Sequence, residues 1–268
     1  MDALRQIEEW DVPHAAAAVV TSEGTAATHG DATRVYRWAS VTKPVTALAV
    51  LVAAEEGTLD LDEPAGPEGS SVRHLLAHAS GLPFEGDQPI SRPGERRIYS
   101  NTGFEVLGGH LETRADMPFA AYLSAAVLDP LALKAELRGS PAAGLHGSLD
   151  DLARFAHELQ RPTVVAGETL AEATTVAFPG LDGVLPDFGR QTPNDWGLGF
   201  ELRDGKSPHW TGSSNSPRTY GHFGGAGTFI WVDPHAGLAL ACLTDREFGE
   251  WAKDAWPRLS DAALSEAA

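Results

Sequence analysis

The chain has 268 residues, 43% of them hydrophobic and 21% charged. That composition excludes intrinsic disorder and, at roughly 150 residues per domain, allows one or two domains with a real core. The formal net charge of −17 repels phosphate backbones and anionic headgroups, which argues against nucleic-acid and membrane partners.

The opening stretch MDALRQIEEW has no basic run leading into an apolar core and no small-residue cleavage site. A secretory signal is therefore not expected, and a cytoplasmic location is. Residues 2–10 pattern as a short amphipathic helix. Ala15 to Thr21, Thr25 to His29 and Arg34 to Trp38 pattern as strands, with Glu23-Gly24 suited to a hairpin turn. Residues 41–56 form the strongest helix signal. Val45, Leu48, Ala49, Leu51 and Val52 leave almost no polar face, so this helix is expected to be buried nearly all round. Pro44 falls in its first turn and Gly57 ends it.

The middle of the chain predicts helices over 71–78, 102–115, 118–128 and 149–160, the last opened by a capping box of Ser148 and Asp151. Segments 64–70, 82–97 and 180–195 read as loops. Strand signals return at Leu198 to Leu202, Thr228 to Val232 and Leu238 to Leu243, and a final helix covers 247–265. The single cysteine, Cys242, lies in the last of these strand signals. It reads as a buried inert thiol and excludes an intrachain disulfide. This order predicts an α/β (α+β) fold: residues 1–60 and 185–268 make an α/β domain carrying the sheet, and 61–184 an inserted mainly helical domain.

Three short motifs could carry chemistry. Ser40-Val41-Thr42-Lys43 is an S-x-x-K pattern at the start of the apolar helix. Positions three apart share a helix face, so Lys43 can reach the Ser40 hydroxyl. A serine needs a neighbour to take its proton, and a lysine desolvated against an apolar helix gives up its own proton more easily. A capping serine with a surface lysine is the other reading. Tyr99-Ser100-Asn101 follows a loop. A tyrosine beside a lysine can have its proton affinity lowered and act as a base. Asn101 can offer an amide to a substrate, orient the lysine, or cap a helix. His222-Phe223-Gly224-Gly225 precedes the strand at Thr228. It is either a Gly-rich turn or an edge whose N–H groups polarise a carbonyl.

In this order and context the three motifs resemble the penicillin-recognising serine hydrolases: class C β-lactamases, low-molecular-weight DD-peptidases and related serine esterases. Gly57 to Pro64 and His74 to Pro83 also resemble stretches of that family, and Thr228 to Arg246 its closing hairpin. The resemblance covers roughly 14–247. It implies an antiparallel sheet flanked by helices, and Ser40 as an acylated nucleophile. It further implies that Lys43 and Tyr99 share proton transfer, that Asn101, His222, Phe223, Gly224 and Gly225 form the substrate-binding side, and that the N–H groups of Ser40 and Gly225 make an oxyanion hole.

The chain departs from the family at His222 and Phe223, where lysine and threonine or serine usually help hold a substrate carboxylate. Arg218 is a nearby cation that could substitute. The spacing of His74 and His78, and of His209, His222 and His235, fits no metal set, so neither metal nor cofactor is expected. The reading is a serine hydrolase cleaving a small-molecule ester or amide through acyl-Ser40, a β-lactamase-related esterase. A β-lactamase, a D-amino-acid peptidase or amidase, an acyltransferase, or a non-catalytic binding module of the same fold remain as alternatives. The sequence is silent on oligomeric state.

Overall fold

The computed structural model describes residues 1–267. A 3₁₀ helix, Asp2–Glu9, opens the chain. It is followed by β1 (Ala15–Thr21), β2 (Gly24–Gly30), β3 (Tyr36–Arg37) and α1 (Thr42–Glu55). The middle holds α2 (Val72–Leu76), α3 (Asn101–Ala115), α4 (Phe119–Leu123), β4 (Glu136–Leu137), β5 (Leu145–Gly147), α5 (Leu149–Glu158) and α6 (Gly167–Ala173). Then come β6 (Gly183–Leu185), β7 (Gly189–Gln191), β8 (Glu201–Leu202), β9 (Tyr220–Gly224), β10 (Thr228–Asp233), β11 (Leu238–Thr244) and α7 (Glu250–Ala267).

The main sheet runs β2-β1-β11-β10-β9-β8, antiparallel at each pairing. Its strands come from both ends of the chain, and the register sets Ala18 beside Ala241, Ala241 beside Ile230, and Ile230 beside His222. Successive side chains point to opposite faces, and β1, β9, β10 and β11 are buried on both, while the edge strand β2 is not. Ala16, Ala18, Val20, Ile230, Val232, Ala239 and Ala241 join the core that contains α1, α3 and α5. Ala17, Val19, Phe229, Trp231, Leu238, Leu240 and Cys242 join the core built with α7 and the N-terminal helix. Burial on both sides explains why these strands read as continuous apolar runs rather than alternating ones. Burying each large side chain contributes about 1.5–3 kcal/mol. Trp256, fully buried against Phe229 and Phe223, is one of the large side chains whose truncation would weaken the second core.

The helix expected at 41–56 is α1, buried from Thr42 to Ala53. Gly57 follows it at φ +74°. The Ser148–Asp151 capping box is present at α5, with both reciprocal bonds. Other expectations shift. The segment 180–195 is not all loop, because β6 and β7 pair as a hairpin over it. Three-residue strands carry too few positions to show a period. The strand at Leu198 to Leu202 shrinks to β8, because Gly197 and Gly199 are needed for close packing: a Cβ on Gly199 would lie 2.1 Å from the Ala47 Cβ. The 71–78 helix stops at Leu76, so His74 and His78 do not share a helix face; His78 sits beyond the helix at φ +54°. The 118–128 helix changes to a π turn over Ser124–Leu128. His222 to Gly224, read as a turn or edge, belong to the paired strand β9, whose glycines masked its pattern.

Candidate active site

Ser40 sits in a 3₁₀ turn, Ala39–Val41, immediately before α1. Ala39 holds φ +47°, a conformation costly for a residue with a Cβ and one that clusters at functional sites. The turn is held from outside. The Thr228 hydroxyl donates to the Trp38 carbonyl at 2.8 Å, and the Trp38 indole N–H donates to the Gly147 carbonyl at 3.1 Å. Gly224 lies behind it, where a Cβ would meet the Trp38 carbonyl oxygen at 2.5 Å. Glycine at 224 therefore serves this close approach.

One turn along, Lys43 is fully buried. Its Nζ donates to Ser40 Oγ at 3.2 Å, Asn101 Oδ1 at 2.6 Å and the Ala142 carbonyl at 3.0 Å. No carboxylate bonds to it among the described residues. Burial therefore pulls its pKa down to about 7, with Glu105 opposing weakly. The surface-lysine alternative is thus excluded. Asn101 does not cap α3; Ser100 does, accepting from Gly103 N–H at 2.8 Å. Asn101 instead spends its oxygen on Lys43. The Tyr99 ring lies 4.7 Å below Lys43 Nζ.

The expectation that a neighbouring lysine would lower the Tyr99 proton affinity is corrected. Burial raises it well above the usual phenol value, outweighing a lowering pull from Ser40. A lysine that is itself half-discharged offers little field to stabilise a phenolate, so Tyr99 stays neutral.

Ser40, Tyr99, His222, Phe223 and Gly225 line one cavity of about 150 Å³. Lys43, Asn101 and Gly224 stand behind its wall. Arg218 is exposed and does not line the cavity, so it does not substitute for the missing lysine of the third motif. His222 is almost fully buried, and its Nδ1 lies 2.6 Å from the Phe223 carbonyl oxygen. A carbonyl only accepts, so Nδ1 carries the ring proton and Nε2 is a lone-pair acceptor. Nε2 has no partner among the described residues. Burial and the nearby Lys43 lower the ring's pKa to about 3, so it is neutral wherever Lys43 is free base. At this position the chain carries a neutral imidazole rather than a cation.

The motifs missed part of the wall. Phe84, Leu185, Pro186, Asp187, Trp196 and Glu201 also line the cavity. Leu185 to Asp187 belong to the β6–β7 hairpin, whose weak signal hid them. Glu201 is 2% exposed. Its oxygens accept from Lys206 Nζ at 2.5 Å, Trp210 Nε1 at 2.6 Å and His209 Nε2 at 2.9 Å. No group of three or more His, Cys, Asp or Glu that could hold a metal occurs among the described residues, and no helix there is long and apolar enough to cross a membrane. Cys242 is buried, which pushes its thiol pKa up.

The β-lactamase family profile matches residues 4–264. A crystal structure of a β-lactamase from Mycobacterium bovis is 56% identical, superposes with a TM-score of 0.98, and is matched over 99% of both chains. EstCE1, a hydrolase with promiscuous acyltransferase activity, shares the fold at 18% identity and a TM-score of 0.80, over 98% of this chain and 96% of its own. Penicillin-binding protein 4* of Bacillus subtilis is 26% identical over 189 residues, 57% of this chain and 41% of that protein. The chain spans less than half the length of that curated relative and of the Salmonella D-alanyl-D-alanine carboxypeptidase homologues it also matches.

Proposed function

The chain belongs to the β-lactamase family of penicillin-recognising serine hydrolases and is an enzyme of that hydrolase type, and from this premise we propose that it cleaves uncharged esters through an acyl-Ser40 intermediate. The observation that carries the reading is Lys43: a fully buried amine 3.2 Å from Ser40 Oγ with no carboxylate bonded to it. Near pH 7 a large share of it is free base, the state a general base needs.

In acylation, Lys43 Nζ takes the Ser40 proton as Oγ attacks the ester carbonyl. The oxyanion is stabilised by the N–H groups of Ser40 and Gly225. As the tetrahedral adduct collapses, the bond to the leaving oxygen breaks, and that oxygen receives the proton from Lys43 by way of the neutral Tyr99 hydroxyl. Water then attacks the acyl carbon while its proton passes to the same base. The Oγ–carbon bond breaks and Ser40 is reprotonated. The net reaction is ester plus water to acid plus alcohol. Asn101 positions Lys43 through the 2.6 Å bond.

Neutral substrates follow from His222 and Phe223. A carboxylate placed against them meets no cation, only a neutral imidazole and an aromatic ring. A missing charge-assisted hydrogen bond costs about 1.5–3 kcal/mol, roughly ten- to a hundredfold in rate. The 56%-identical relative titled a β-lactamase makes β-lactam hydrolysis the second reading. Whole-protein mass spectrometry after fluorophosphonate should show one adduct, mapped to Ser40 and absent from Ser40→Ala. On the same preparation, kcat/KM for a short p-nitrophenyl ester should exceed that for a chromogenic cephalosporin at least tenfold. Label elsewhere sinks the nucleophile assignment, and a cephalosporin value equal to the ester's favours the second reading.

A further inference from the structure

The cavity around Ser40 does not end at its mouth. Phe84, Tyr99, Pro186 and Asp187 line both it and a second, open groove of about 580 Å³. The remaining walls of the groove include Ile90, Ile98 and Val184. The inner cavity is the smaller of the two, at about 150 Å³. The groove is nearly four times larger, so the two compartments are suited to very different groups.

Phe84, Ile90 and Val184 are 50%, 56% and 59% exposed. Scattered exposed apolar residues are ordinary, but a contiguous set marks a binding surface. Here three of the chain's most exposed large apolar side chains converge on one groove from two separate segments. Both segments are pinned rather than loose. Phe84 O accepts from Asn101 N–H at 3.1 Å, Ile90 N–H donates to Gly81 O at 2.9 Å, and Arg96 Nη2 donates to Ile90 O at 3.0 Å. Gly81 permits that turn, since a Cβ there would lie 2.0 Å from Ser91 O. The hairpin that carries Val184 is tied at its root, where Arg97 N–H donates to Asp182 O at 2.8 Å and the Arg97 guanidinium to the carbonyls of Asn194, Ala177 and Phe178. The groove is therefore preformed, which lowers the ordering cost of binding.

We propose that this groove is the outer half of the substrate site and receives a linear alkyl chain, so that the enzyme acts on asymmetric lipophilic esters with a short group in the inner cavity and a longer alkyl group along Phe84, Ile90 and Val184. The occupant follows from continuity with the Ser40 cavity. A chain leaving the acylation centre by this mouth runs directly over these side chains, and each methylene it buries contributes up to about fourfold in binding. This deepens the acyl-Ser40 reading and rests on it.

Two substrate series test it on the intact protein. Acetate esters of linear alcohols vary one side of the scissile bond from methyl to decyl. Ethyl esters of linear acids vary the other from acetic to decanoic. In one series kcat/KM should rise at least tenfold with length; in the other it should fall once the chain outgrows the inner cavity. Val184→Asp and Ile90→Asp, both at exposed positions, should each cut the long-to-short ratio of the rising series at least fivefold. The ratio cancels losses common to both substrates. Two flat series, two falling series, or an unchanged ratio in both variants overturns the proposal. A variant that alters sedimentation while leaving the ratio intact also overturns it, assigning the groove to a second copy of the chain. Fluorophosphonate labelling of Ser40 in the wild type separates the two claims: label with flat series removes only the groove assignment, whereas absence of label removes both.

Discussion

Two lysines are buried in this molecule, and their surroundings differ in one respect. Lys206, 5% exposed, donates to the Glu201 carboxylate and to the carbonyls of Asp195 and Leu202. Lys43, fully buried, donates only to neutral oxygens of Ser40, Asn101 and Ala142. Burial lowers the proton affinity of both. At Lys206, whose pKa burial still lowers overall, the charge and hydrogen bond of Glu201 oppose that pull without overcoming it. At Lys43 nothing comparable does, and its pKa falls to about 7. Glu201 in turn is held at about 2: burial would raise it, but His209 and Lys206 outweigh the burial. A buried amine with a counter-ion keeps its proton more firmly; the same amine among neutral acceptors gives it up more easily, as the proposed base requires.

Removing one partner of the ion pair should have the largest effect. Lys206→Met leaves the Glu201 charge buried without its lysine, and breaking a buried pair in this way costs about 3–5 kcal/mol. Urea unfolding would read this directly, and adding Glu201→Gln should recover part of the loss. A neutral Lys206→Met would erase the contrast between the two lysines.

Lys43→Met should instead act on chemistry. We expect acylation to slow at least about a hundredfold, with a smaller change in urea stability than Lys206→Met, because it abandons neutral acceptors rather than a charge. Stopped-flow acylation with a p-nitrophenyl ester measures the first and denaturant titration the second.

The pH profile sharpens the assignment. Lys43 is active when deprotonated, so the acylation rate should climb with pH and level off above about 7. Below that it should fall about tenfold per unit, as protonation removes the base. A profile flat from pH 5 to 9 would mean that Lys43 is not the titrating group.

Tyr99→Phe is expected to cost least, about tenfold or less, the scale of one hydrogen bond. Its hydroxyl stays neutral, so its proposed part is limited to a hydrogen bond on the proton path to the leaving oxygen. A loss in Tyr99→Phe larger than in Lys43→Met would exchange the roles of base and shuttle.

Much of the local architecture was legible because it depends on neighbours in sequence. Ser148 and Asp151 form their cap through residues three apart. The apolar run after Lys43 announces a helix buried on all sides. Strand β9 was harder, because Gly221 and Gly224 erase the alternation that marks a strand. A Cβ at Gly221 would lie 2.0 Å from Ile230 O, a packing demand invisible without β10. Phe84, Val184 and Leu185 carry no motif and enter the site only because two loops fold over its mouth.

The sequence by itself determined that Lys43 lies within reach of Ser40 and that strands from both chain ends flank a helix-rich middle; the grouping of the three motifs came from their resemblance to a family. The first two follow from spacing and pattern, which are properties of the chain. The tertiary structure alone decided the charge on Lys43, the neutral state of Tyr99, the uncharged ring of His222, and the groove beyond it. Each depends on desolvation and on partners distant in sequence: Ala142 and Asn101 for Lys43, the course of β9 for His222, the β6–β7 hairpin for the groove. An ionisation state records everything that surrounds a group, and that is fixed only when the chain has folded.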